Sequence, residues 1–235
     1  MSDPAKLSGG RFFSDGATYY AMTWSLASDF DLEYTPADLV RVRREYPEGP
    51  SGIFLKRASG GLEFTAGAPW LRRVPSDSKK VYFGKAMTYP VLAAPFVAAL
   101  GSRGFLVFNA LALLVALGCA FIEIRRRASE PVAAFASTVL ILATVAPLYV
   151  FWIQPEALNL ALVSLALLAW RMDRPLLSAL HFGVAGYTKP THLLMAAPLG
   201  LAPFFDVSSS VSRRALEALR IAHGFNRGLY KKFNE

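Results

Sequence analysis

The chain has 235 residues, 54% of them hydrophobic and 18% charged, with a formal net charge of +8. That positive excess does not mark a nucleic-acid binder, because the basic residues are neither gathered on one face nor interleaved with aromatics. The single cysteine, Cys119, excludes an intrachain disulfide and a cysteine-based metal cluster.

Residues 1–87 read as a polar, turn-rich segment. Within it, Ser14-Asp15-Gly16 precedes Tyr19, Tyr20, Trp24 and Leu26, the pattern of an amphipathic helix lying on a membrane, with Ser14 or Asp15 as its cap. Thr35-Pro36-Ala37-Asp38 predicts a second helix start, a capping box with proline at the first position. Ile53 to Arg57 and Leu62 to Thr65, joined by Ala58-Ser59-Gly60-Gly61, predict a small hairpin.

Residues 88–206 carry almost all the long apolar runs. Tyr89 to Leu100 is about half the length of a span and holds Pro90 and Pro95, so residues 88–101 are expected as a re-entrant or interfacial helix. A true short span is the alternative. From residue 104 to 206 a transmembrane bundle is expected, with five membrane helices: Phe105 to Ile124, Val132 to Ile153, Ala157 to Trp170, Leu176 to Thr188 and His192 to Phe205. The last runs are short and fit best when packed among other helices. Residues 207–235 are expected as a basic cytoplasmic tail, with an amphipathic stretch from Val211 to Ile221. The fold class is therefore an all-α polytopic membrane protein after an external N-terminal segment.

Charges sit where the turns belong. An unpaired charge at mid-bilayer costs several kcal/mol, so charges in apolar sequence are boundaries or functional groups. Arg125, Arg126 and Arg127 place their turn in the cytoplasm, and Arg171 with Arg174 places another there. The turns at Gln154-Pro155-Glu156 and at Lys189-Pro190 then lie outside, together with residues 1–87. An external segment of that length follows a signal or an upstream span, and Met1-Ser2-Asp3-Pro4-Ala5-Lys6 is no signal peptide. The expectation is a chain truncated at both ends, whose first helix is missing or is supplied by a partner chain.

Four local patterns, in this order, resemble the GT-C glycosyltransferases, membrane enzymes that take sugars from polyprenyl-phosphate donors (the dolichyl-phosphate-mannose mannosyltransferases are of this kind). Ser14-Asp15-Gly16-Ala17-Thr18-Tyr19-Tyr20, with Ser25-Leu26 and Asp29-Phe30-Asp31-Leu32, looks like the start of that family's first external loop. Gly84-Lys85-Ala86-Met87-Thr88-Tyr89-Pro90 is similar to the lysine and proline stretch that ends the loop. Gln154-Pro155-Glu156 resembles an outer turn of proline followed by an acid, and Gly183 to Pro190 resembles the glycine-rich helix ending in a basic residue and proline. The patterns span residues 11 to about 205. One departure is Gly16 after Asp15, where the family often pairs two acids.

The resemblance implies sugar transfer at the outer face of a bacterial inner membrane, with a lipid-linked sugar and membrane lipids as partners and no metal or cofactor. Inverting transfer needs a carboxylate to take the acceptor proton and cations to hold the leaving phosphate. It implies Asp15 as the base; the residues alone allow a helix cap equally. Glu156 either assists the acceptor or Lys189, or marks a helix start. Lys85 and Lys189 are phosphate ligands by resemblance, a solvated loop lysine and a snorkelling lysine otherwise. His192, by the same analogy, is a site candidate, whereas His181 reads as a packed histidine. Tyr19 and Tyr20 are either a sugar platform or, with Trp24, a membrane anchor. Two further classes stay open: a non-catalytic or truncated protein of the same fold, and a transporter-like protein, which would need polar residues at mid-bilayer depth.

Overall fold

A computed structural model describes residues 11–57, 61–64, 71–74 and 79–197. Those residues are mostly helical: α1 Ser14–Asp29, α2 Pro36–Glu45, α3 Thr88–Leu100, α4 Arg103–Arg125, α5 Glu130–Leu142, α6 Glu156–Arg171 and α7 Pro175–Thr188, with 3-10 turns at Ala146–Val150 and Pro190–Ala196. Short strands pair two by two: β1 (Arg11–Phe13) parallel to β2 (Gly49–Ser51), β3 (Leu55–Arg57) antiparallel to β6 (Val81–Phe83), and β4 (Gly61–Phe64) antiparallel to β5 (Leu71–Val74). Among the described residues one helix is long and apolar enough to cross a membrane: α4, with 23 residues and a mean hydropathy of 2.6 over its best window. At 1.5 Å per residue it is about 35 Å long. Helices α3 and α5 are apolar but have 13 residues each.

The described chain divides into two compact units, one of residues 11–108 with 151–154 and one of 109–150 with 155–197. In the first unit α1 is buried along most of its length, against α3 and α2. This corrects the surface-lying helix expected here. Gly16, Ala17 and Ala21 are small buried residues of this helix, and its aromatics pack against neighbouring elements. Tyr19 meets Tyr89 edge-on at 5.6 Å, and Tyr20 stacks on Phe105 at 5.3 Å. The tightest approach is at Gly104, where a Cβ would lie 2.3 Å from the Phe96 carbonyl oxygen. Only glycine lets α4 start so close to the last turn of α3. Helix α2 begins as its sequence predicts: the Asp38 carboxylate reaches back to accept from the Thr35 backbone N–H at 2.8 Å.

The expected hairpin between Ile53–Arg57 and Leu62–Thr65 does not form. Strand β3 pairs instead with β6, whose other edge is held by Glu33 and by the Tyr34 N–H donating to the Val81 carbonyl at 2.7 Å. Strand β4 takes the nearby β5, a local hairpin with a small loop-closure cost.

In the second unit an alanine-rich seam of Ala112, Ala116, Ala146, Ala157 and Ala161, with Leu113 and Ile141, packs four segments together. Helices α6 and α7 are joined by a short turn in which Asp173 takes a left-handed backbone, φ 57°. The predicted bounds of α4, α6 and α7 agree with those observed to within two residues. The run expected as one span from Val132 to Ile153 is broken, which corrects that reading. Helix α5 stops at Leu142, where the Thr144 hydroxyl donates to the Ile141 carbonyl at 2.9 Å and accepts from the Ala146 N–H at 3.2 Å. Pro147 then has no N–H with which to continue the helix. The span expected from His192 to Phe205 begins as a 3-10 turn; residues 198–205 and the tail, with Val211 to Ile221, lie outside the described residues. Many large apolar side chains of this unit face outward, among them Leu114, Leu142, Leu148, Leu176 and Phe135, the last 73% exposed.

Candidate functional site

Asp15 and Lys85 meet in the first unit, with Nζ 2.8 Å from Oδ1. Asp15 sits in the first turn of α1, which opens at Ser14 with a left-handed φ of 55°. One turn on, Thr18 ties the helix to a loop: its hydroxyl donates to the Ser14 carbonyl and accepts from the Phe54 N–H, each at 3.1 Å. The Phe54 carbonyl accepts from the Gly84 N–H at 2.8 Å. Phe54 is thus held at both ends of its peptide, and the residue after Gly84 lays its ammonium over the Phe54 ring, 3.9 Å from the centroid. A side chain at 84 would press on Lys56 and on the Phe54 carbonyl.

Both charged side chains are partly open to solvent, Lys85 by 23% and Asp15 by 34%. A pair of that exposure contributes about 1 kcal/mol or less, and a cation over an exposed ring about 0.5–1 kcal/mol. Lys85 is therefore held in place but easily drawn to a more highly charged partner. Phe54 was not found from the sequence; its signal is an aromatic two residues after Gly52, too common to single out.

Tyr19 and Tyr20 are 2% and 1% exposed, and their rings are taken up by core packing. Tyr20 Oη and Ser102 Oγ are 3.1 Å apart, Ser102 donates to Glu45, and burial pushes the Tyr20 phenol far above its ordinary range. Neither tyrosine presents a platform for a sugar here, nor an anchor toward lipid.

The second unit holds the other acid and lysine. Glu156 opens α6, Lys189 caps the C-terminus of α7, and Nζ lies 2.5 Å from Oε1. Gly186 fixes the geometry of the lysine. A Cβ there would lie 2.5 Å from Leu193, so glycine lets the Pro190–Ala196 turn fold back on α7 with Lys189 between them. His192 donates its backbone N–H and Nδ1 to the Lys189 carbonyl, at 3.0 and 3.1 Å. It braces that turn. His181 hydrogen-bonds the Leu177 carbonyl one turn back in α7.

Asn159, one turn beyond Glu156, was missed because it stands inside an apolar run. It is 2% exposed, and neither its amide oxygen nor its amide nitrogen has a hydrogen-bond partner among the described residues. The same holds for Oε2 of Glu156.

The far end of α6 is cationic. Arg171 Nε lies 3.1 Å from Glu123 Oε1, Arg126 Nε lies 3.8 Å from Oε2 of the same carboxylate, and Arg125 pairs with Glu130. The arginines of the two turns expected inside thus meet one another, and the two groups expected outside, Glu156 and Lys189, meet one another. With 16 residues, α6 separates them by about 24 Å. No group of three His, Cys, Asp or Glu among the described residues is placed to hold a metal.

No protein-family model, curated protein or solved structure matches this chain. The residues themselves must carry the chemistry. The candidate residues form two acid–lysine pairs, Asp15 with Lys85 and Glu156 with Lys189, in which a carboxylate can accept a proton and an ammonium can hold an anion.

Proposed function

We propose that the chain is a multi-pass membrane glycosyltransferase of the GT-C kind, moving a sugar from a polyprenyl-phosphate donor to an acceptor at the outer face of an inner membrane. The observation that carries this reading is the Asp15–Lys85 pair resting on Phe54. The donor phosphodiester carries one negative charge, as a carboxylate does, and gains a second as the lipid phosphate leaves; that developing charge draws Lys85 off Asp15. The freed carboxylate then takes the proton of the acceptor hydroxyl. The acceptor oxygen attacks the anomeric carbon, the bond from that carbon to the phosphate oxygen breaks, and the lipid phosphate leaves with the electron pair. Within the second unit, Lys189 beside Glu156 is read in its own right as a phosphate-binding cation. The two-ended charge pattern of α6 and the outward apolar side chains support a lipid setting.

A second reading, a non-catalytic protein of the same fold, is favoured by Gly16. A Cβ there would lie 3.2 Å from the Phe12 ring, which leaves little room for a second acid after Asp15. The two readings part on one assay. Purified in detergent and given a polyprenyl-phosphate sugar, with water or a simple alcohol as the acceptor hydroxyl, the wild type is expected to release lipid phosphate. Asp15→Asn should cost about 100-fold or more in rate. Equal turnover by both removes Asp15 as base; none by either favours the second reading.

A further inference from the structure

We infer that Asn159 is the second partner of Glu156, taking over the carboxylate so that Lys189 is free to bind a phosphate ester. This rests on the reading of Lys189 as a phosphate ligand. Glu156 and Asn159 stand three residues apart on one face of α6, with side chains that tilt toward its N-terminus. In the structure Glu156 Oε1 holds Lys189, while Oε2 is sealed from solvent with no partner among the described residues. The Asn159 amide is buried in the same condition, a donor without an acceptor one turn from an acceptor without a donor.

Leaving buried polar atoms unmade is costly, and replacing such a group by an apolar one of equal shape is near neutral or stabilising. An asparagine kept there for stability alone has no evident use. Its amide matches the state in which Lys189 has left. The lysine swings to a phosphate, and the carboxylate turns to accept from Asn159 Nδ2 instead of standing buried and bare. No bond is made or broken covalently, and the charge on Glu156 does not change. Lys189, 40% exposed and set at the end of α7, has the freedom to move. Asn159 is thus a positioning residue, acting on phosphate through Glu156 and Lys189.

The test uses the full chain in detergent, with inorganic phosphate and a polyprenyl phosphate as separate probes. Asn159→Leu should leave the melting temperature unchanged or raise it, yet weaken phosphate binding about fivefold, the equivalent of one ordinary hydrogen bond. Asn159→Asp, which keeps the shape but has no N–H to donate, should weaken binding at least as much. In a Glu156→Gln background Asn159→Leu should have no effect on binding. Dependence on Asn159 for both probes shows that the phosphate alone is recognised, and dependence for the lipid alone shows that the prenyl chain is needed; either supports the inference. Loss of binding in Lys189→Ala with none in Asn159→Leu overturns the inference and spares the reading beneath it. An equal effect of Asn159→Leu with and without Glu156 overturns it too. Binding untouched by Lys189→Ala overturns the reading itself.

Discussion

Lys85 touches a carboxylate and an aromatic ring at once, and neither contact is strong. That combination suits a ligand-exchange site, because a cation held by two weak partners is ordered before the ligand arrives and costs little to release. Asp38 shows the opposite design. It is 1% exposed, with Oδ2 accepting from the Thr35 N–H and Oδ1 from Arg41 at 2.8 Å. Burial outweighs these bonds and pushes its carboxyl above the usual 3.8. Because the folded value lies above the unfolded one, the stability linked to this proton is fully present below the unfolded value. It is lost as pH rises through the folded value. As pH is lowered from neutral toward that range, the melting temperature of the wild type should rise relative to that of Asp38→Asn. Thermal denaturation of both proteins across the interval checks the sign.

Between elements, the closest joint is Gly104 against the backbone of α3. A methyl group there overlaps the Phe96 carbonyl and the Val97 nitrogen, and backbone cannot turn aside as a side chain does. Gly104→Ala should cost more than about 2 kcal/mol, seen as a lowered melting temperature with the helical content of the folded state kept. Helix positions were legible in the sequence because charge and proline mark their ends: Arg125 closes α4, Glu156 opens α6, and Pro175 opens α7. The break after Leu142 was written at Thr144 and Pro147, but unbroken hydropathy on either side masked it. Strand pairing was not legible. Leu55–Arg57 finds Val81–Phe83 through contacts with residues 32–34, and no local pattern encodes a partner chosen that way. The four residues of the two acid–lysine pairs had been singled out in the sequence, since charge in or beside apolar sequence stands out. Phe54 and Asn159 were not, because each works through packing that only three dimensions reveal. The tyrosine stripe misled for the same reason: aromatics in a helix mark a face, not what covers it.

For the molecule as a whole, the reading turns on which groups share a side of the bilayer. In a Cys119→Ala background, Ser28→Cys is expected to react with a membrane-impermeant maleimide added to intact cells. Ala128→Cys, beside the arginine turn, should react only after the membrane is opened. Labelling of both from outside would dismantle the sidedness on which the sugar-transfer proposal rests.

The close approach at Gly186 ties two properties that are ordinarily separate. Whatever enlarges that residue must displace the side chain of Leu193, which belongs to the turn that follows the ammonium-bearing residue three positions away. Natural variation at the site should accordingly come in pairs: descendants of a common ancestor that abandon the lysine are free to fill the gap with alanine or serine, while those that retain it are bound to the smallest side chain there is.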